Sequence, residues 1–229
     1  MFIKHNNKIV KQIDKWCQFG TDGIFTDMGI IYRIGEKTDF NWIHQTGIFT
    51  IEFDYIKTNT ITTRTTFLAN RAAGGSYGIW LIQSNSSVLR VYFANSAGFT
   101  VLDFASVFTS TDTYKIRLIG NGLGIEVFYS KGTGPMISKG FQPYSYPIPP
   151  GEATDSLYKM SIGGYNTTRD CNSKMRNIKF YRDINRMNLH SNFTLQDENN
   201  IGKDVIQGIE GSVSTNIVVK DISTHIINN

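Results

Sequence analysis

The chain has 229 residues, enough for one large domain or one domain with an attached segment. It holds 29 Ile, 10 Val and 22 Thr against only 7 Ala, 9 Leu and 6 Glu. Branching at Cβ costs rotamer freedom in a helix and packs well on a pleated sheet, so this imbalance excludes a helical bundle and predicts an all-β fold. The net charge of +4 comes with no Lys/Arg stripe, and no apolar run reaches the length of a membrane helix; neither nucleic-acid binding nor membrane insertion is expected.

Residues 1–28 mix Lys, Asn and isolated apolar residues without a clear period. They read either as part of the main domain or as an anchor, and they lack the apolar core of a signal peptide. Residues 29–34 read as a first strand. The clearest strand is residues 47–57, GIFTIEFDYIK. There Phe49, Ile51, Phe53 and Tyr55 share one face, and Thr50, Glu52 and Asp54 share the other. One face is core, and the other is wet or faces a partner.

Further strand-like runs follow at 65–69, 77–83, 88–93, 99–104, 114–119 and 124–129, with Gly- and Asn-rich turns between them. These connections are too short for crossover helices, so the strands must pair antiparallel. All five prolines fall between Pro135 and Pro150, which removes that stretch from any central strand. It reads as a stiff loop over a sheet edge, with a binding loop as the alternative. Two more strands close the body at 157–162 and 174–181.

From residue 195 the character changes. Ile201, Val205, Ile209, Val213 and Ile217 recur every fourth position, with Gly202, Gly208 and Gly211 among them. The glycines argue against a free-standing helix. Residues 195–229 therefore read as an extended, β-rich arm that needs a surface to lie on. Cys17 and Cys171 are one distant pair and read as two thiols, with no zinc pattern.

Four stretches resemble, in this order, the concanavalin A-like lectin/glucanase superfamily and in particular its laminin G-like jelly-roll members. They are GIFTIEFDYIK (47–57), the pair formed by 67–70 and 77–83, the hairpin YKIRLIGNGLGIEVFY (114–129), and the closing pair LYKMSIGG (157–164) with KMRNIKFYRD (174–183). The resemblance implies two antiparallel sheets packed as a jelly-roll sandwich over residues 29–194, with the C-terminal arm outside it.

The resemblance brings two chemistries into view. Laminarinase-type hydrolases of this superfamily carry Glu-x-Asp-x-(x)-Glu on one strand. Here Glu52 and Asp54 fill the first two positions, but Lys57 stands at the third. A retaining mechanism needs two carboxyl groups about 5 Å apart, one of them able to protonate the leaving group. Glu52 and Asp54 could meet that distance, but the neighbouring Thr, Lys and Asp residues point to a solvated sheet face, so catalysis is disfavoured. Laminin G-like domains also often hold calcium, for which Asp103 and Asp170 are nominal candidates.

Binding fits better. Aromatic faces stack on sugar C–H surfaces and polar side chains bond hydroxyls, and such residues cluster on loops of a rigid scaffold. The candidates are Trp42, His44, Asn70, Arg71, Tyr77, Tyr144, Tyr165, Asn166 and Arg169. High Ile, Asn and Thr content with a β-rich tail also resembles bacteriophage virion proteins, whose fibres and spikes often carry such jelly rolls. That resemblance implies a non-enzymatic head or tail fibre component, assembled in the host cytoplasm as a homotrimer with other virion proteins. A host-surface glycan is the implied ligand, and a bacterial carbohydrate-binding module is the alternative.

Overall fold

The computed structural model describes residues 2–5, 8–19, 31–57, 65–71, 76–85, 87–165, 168–169, 174–213 and 217–223. Strands β1 (Phe2–His5), β2 (Lys8–Phe19) and β3 (Ile31–Ile34) come first, followed by the short helix α1 (Trp42–Thr46). The body continues with β4 (Ile48–Ile56), β5 (Thr65–Ala69), β6 (Gly78–Gln83), β7 (Leu89–Asn95) and β8 (Gly98–Phe104). Next come β9 (Thr113–Asn121), β10 (Gly124–Lys131), β11 (Ile137–Pro143), β12 (Met160–Ile162), β13 (Gly164–Tyr165) and β14 (Thr168–Arg169). The chain closes with β15 (Lys174–Tyr181), β16 (Leu189–Phe193), β17 (Ser212–Val213) and β18 (Ile217–Ser223).

These strands build two antiparallel sheets and one small ribbon of β13 with β14. The larger sheet runs β1-β2-β15-β4-β9-β10-β11, with β16 beside β15 and β18 beside β2. The smaller runs β17-β3-β12-β5-β6-β7-β8. Each sheet turns an apolar face to the other, and burying both at once produces the sandwich. The smaller sheet carries a second apolar cluster of Ala69, Trp80 and Ile82.

β4 shows how the sequence dictates this. Phe49, Ile51, Phe53 and Tyr55 are fully buried, while Glu52 and Asp54 stay partly exposed on the opposite face. An aromatic cluster joins the sheets. The Phe67 ring on β5 lies 5.0 Å from Phe53 and 4.9 Å from Tyr55 on β4, and 5.8 Å from Phe108 in the loop before β9. The Tyr55 hydroxyl donates to Gln83 Oε1 at 2.9 Å, which satisfies it inside the core.

Three expectations change in detail. The proline-bearing stretch is not all loop: β11 occupies its first half as the edge strand beside β10, where Pro143 interrupts no further ladder. The first strand of the closing pair is shorter than read, because Leu157 is 56% exposed and β12 begins only at Met160. The third change is a correction to the reading of 195–229 as an arm outside the sandwich. β17 pairs with β3, and β18 pairs along β2 from Phe19 to Ile13. The surface that this stretch needs is supplied by the chain itself. The N-terminal stretch likewise belongs to the larger sheet from Lys8 to Phe19.

Cys17 is buried on β2, and Cys171 lies outside the described residues. No helix among the described residues is long and apolar enough to cross a membrane.

Candidate functional site

Several of the loop residues named as ligand candidates make hydrogen bonds that tie loops to the sandwich. Asn70 is fully buried at the end of β5: its Oδ1 accepts from the Ile79 amide at 2.8 Å, and its Nδ2 donates to Ser156 Oγ at 3.0 Å. Gly78 makes room for it. Its φ is +125°, and a Cβ there would fall 2.3 Å from Asn70 Oδ1. Ser156 in turn donates its amide to Asn41 Oδ1 at 3.0 Å, and Asn41 Nδ2 donates to Asp155 Oδ1 at 2.6 Å. His44 is fully buried, and its Nε2 donates to the Thr154 carbonyl at 2.8 Å. Burial pushes the His44 pKa down, which favours the neutral ring.

The other candidates divide similarly. Trp42 packs against the core and donates Nε1–H to the Asp39 carbonyl at 3.0 Å. Arg71 is buried, with its Nε donating to the Ser76 carbonyl at 3.1 Å and its guanidinium 4.6 Å from the Phe99 ring centre. Tyr144 is buried with its ring stacked 4.2 Å from that of Phe93, and burial raises its hydroxyl pKa. Tyr77 is half-buried and offers its carbonyl to Ser156 Oγ. The backbones of Tyr165 and Arg169 pair in the β13–β14 ribbon, their side chains lie outside the described residues, and so does Asn166.

Of the candidates for ligand binding, His44, Asn70, Arg71 and Tyr144 are buried, and Trp42 is half-buried against the core. Buried amides and rings at the ends of short strands are needed to close loops onto the sandwich, and here that need uses them.

One of these loops carries a pH signature. The Glu152 carboxylate accepts from the amide and hydroxyl of both Ser96 and Thr154. Desolvation alone would raise its pKa, but these four bonds outweigh it and hold the pKa at about 2, against an ordinary 4.5. A depressed carboxyl pKa contributes stability that is complete above the unfolded value and lost as pH falls through the folded one. The melting temperature should fall between pH 4.5 and 2, and Glu152→Gln should lower it at pH 7 and flatten that acid slope. An unchanged slope in the variant would contradict this.

The outer face of the larger sheet offers a different site. A cavity of about 370 Å³ is lined by Glu52, Phe53 and Asp54 of β4, Lys115, Ile116 and Arg117 of β9, Asn177 and Lys179 of β15, and Met136. Alternation puts the polar members on one face: Glu52 stands opposite Arg117 and Lys179, and Asp54 opposite Lys115 and Arg176. Arg117 Nε donates to Glu52 Oε1 at 2.5 Å, and Arg186 Nη1 donates to the same oxygen at 3.3 Å. Arg176 Nε and Asn177 Nδ2 donate to Asp54 Oδ2 at 3.1 and 2.9 Å.

A bulge in β15 between Arg176 and Lys179, with Asn177 at φ +55°, lets both neighbours reach one carboxylate. The second oxygen of each carboxylate accepts no hydrogen bond among the described residues. Next to the groove the same face turns aromatic. Phe128 lies opposite Arg117, and Phe141, 45% exposed, lies opposite Glu126.

The sequence had marked Glu52 and Asp54 as wet or partner-facing but missed their partners. The alternation in YKIRLIG and KMRNIKFY carries the signal, because Lys115, Arg117 and Lys179 all fall between buried residues.

The third carboxylate of a hydrolase is missing here in structure as well as sequence. Lys57 is buried, and its Nζ donates to the Phe108 carbonyl at 2.8 Å. Of the two nominal calcium candidates, the structure describes only Asp103. Asp103 is held by Arg90 through two contacts of 2.6 and 2.7 Å, Asp170 lies outside the described residues, and no cluster of three His, Cys, Asp or Glu residues occurs among them.

With this geometry in place, comparison with solved structures settles the architecture. Tailspike protein 2 of an Escherichia coli O157:H7 bacteriophage matches 85% of this chain at a TM-score of 0.51 and 10% identity. The fold is a lectin-like jelly roll. The jelly roll also superimposes on domains LG4-5 of the mouse laminin α1 chain (TM-score 0.49, 12% identity, 74% of this chain). It superimposes as well on the Ruminococcus gnavus IT-sialidase CBM40 (TM-score 0.45, 15% identity, 68% of this chain). It spans 30% of the tailspike, 42% of the laminin fragment and 90% of the sialidase module. No protein-family model and no curated protein sequence matches the chain.

Proposed function

We propose that this jelly roll is a non-enzymatic, glycan-binding domain of a bacteriophage virion protein, a head or tail fibre component that attaches to host-surface sugars as a homotrimer. The groove on the larger sheet carries this reading. Its two carboxylates are locked by Arg117, Arg186, Arg176 and Asn177, and each keeps one oxygen to accept a hydroxyl. Sugar recognition needs such fixed polar groups beside an aromatic surface, which Phe128 and Phe141 provide. Catalysis needs a carboxyl that delivers a proton, and a carboxylate fixed by guanidinium groups is poorly suited to that task. The fold shared with a phage tailspike supports the virion setting.

The test is an array of bacterial surface glycans, read together with the mass in solution. The wild-type chain should retain a defined subset of glycans and run as a trimer. Arg117→Ala, which removes a charge-assisted bond, should weaken retention about tenfold. A blank array, or retention indifferent to Arg117→Ala, would overturn the glycan reading, and a monomer at micromolar concentration would overturn the trimer.

A further inference from the structure

Resting on the glycan-binding reading above, we propose that the groove selects acidic sugars, with Lys115 and Lys179 as the two groups that meet the ligand's carboxylate or sulfate. The groove is lined by three cations, Lys115, Arg117 and Lys179, and two carboxylates, Glu52 and Asp54. Charge alone would leave it nearly balanced, but the pairing is unequal. Glu52 is engaged by Arg117 and Arg186, and Asp54 by Arg176 and Asn177. The planar guanidinium fork matches carboxylate geometry better than an ammonium does, so the arginines take the acids.

Lys115 stands directly opposite Asp54 across the ladder, and Lys179 opposite Glu52. Neither makes an ion pair among the described residues, although each has a carboxylate as its cross-strand neighbour. Glu126 on the same face is occupied too, accepting from Ser138 Oγ at 2.7 Å. The charges left uncompensated in the groove are therefore both positive.

Their placement adds to this. β9 and β15 flank β4 on either side and the two lysines are staggered by two residues, so they approach from opposite walls, about 12 Å apart at the backbone. Lys115 is exposed and Lys179 half-exposed, and each is a compact charge on a flexible stem that can follow a ligand. A neutral sugar would leave both ammonium groups to water, whereas an anionic one gains charge-assisted hydrogen bonds from two sides.

The experiment uses matched oligosaccharides that share one lactose core, in unsubstituted, sialylated (carboxylate) and sulfated forms, on the same array as the wider bacterial set. The acidic members, of either kind, should bind at least tenfold tighter than their neutral partners and weaken with added salt. Which acid is preferred names the source of the charge. Lys115→Ala and Lys179→Ala should each weaken acidic binding about tenfold and keep the wild-type melting temperature. Lys159→Ala, beside β12 of the smaller sheet, should change nothing. Neutral members bound as tightly as acidic ones, or acidic binding insensitive to both lysines, would overturn this proposal and leave the glycan reading standing. An array blank for every sugar would overturn both.

Discussion

Asn70→Ala is expected to destabilise the protein by about 3 kcal/mol and to loosen the loop around residues 154–156 before the rest unfolds. The cost follows from what the side chain leaves behind. The Ile79 amide and Ser156 Oγ each lose a buried partner, and an unsatisfied buried polar group costs about 1–3 kcal/mol. The damage passes along a chain of bonds, because Ser156 also anchors to Asn41, and Asn41 to Asp155. Urea denaturation should show the loss, and hydrogen exchange should show earlier opening at 154–156. A surface ligand-binding residue would behave in the opposite way, with stability kept and binding lost. That result would restore Asn70 to the binding site.

Phe67→Ala should cost more, about 3–5 kcal/mol, the usual range for a fully buried phenylalanine. Phe67 belongs to the smaller sheet, yet its ring meets Phe53 and Tyr55 of the larger sheet and Phe108 of a connecting loop. Removing it opens a void between layers that two sheets, each fixed by its own ladder, cannot easily close. Tyr55 would lose its edge contact while its hydroxyl stayed tied to Gln83. A loss under about 1.5 kcal/mol in urea denaturation would mean that this junction collapses freely.

The two predictions also show which parts of the molecule the sequence could reveal. Strands buried on one face were plain, because alternation is a local signal. The alternation of β4 was legible except at Thr50, which is buried where a wet residue was read, and β5 and β15 were bounded as the structure has them. β2 was not: its KIVKQIDKWCQF interleaves lysine and glutamine with apolar residues, and besides β1 its partners are β15 and β18, far along the chain. β16 was missed for a similar reason. Its LHSNF buries His190 and Ser191, and composition does not mark those types as core.

The binding residues posed a harder problem. Trp42, His44, Asn70 and Arg71 have the chemistry of sugar ligands, but the same hydrogen-bonding groups close loops onto the sandwich. Only burial separates the two uses. The groove depends on pairs such as Glu52 with Arg117, 65 residues apart, and on a bulge in β15 that no periodicity displays.

The pairing of β18 with β2 has a mechanical consequence. Ile13 sits opposite Ser223, and Phe19 opposite Ile217, so the two strands run antiparallel with their outward-leading ends side by side. Tension applied between Ile13 and Ser223 would load their rung first and then open the ladder rung by rung, as a zipper does. Shearing many hydrogen bonds at once resists force far better. Pulled this way, the closing strand would peel off at low force while the two-layer body beneath it stayed intact.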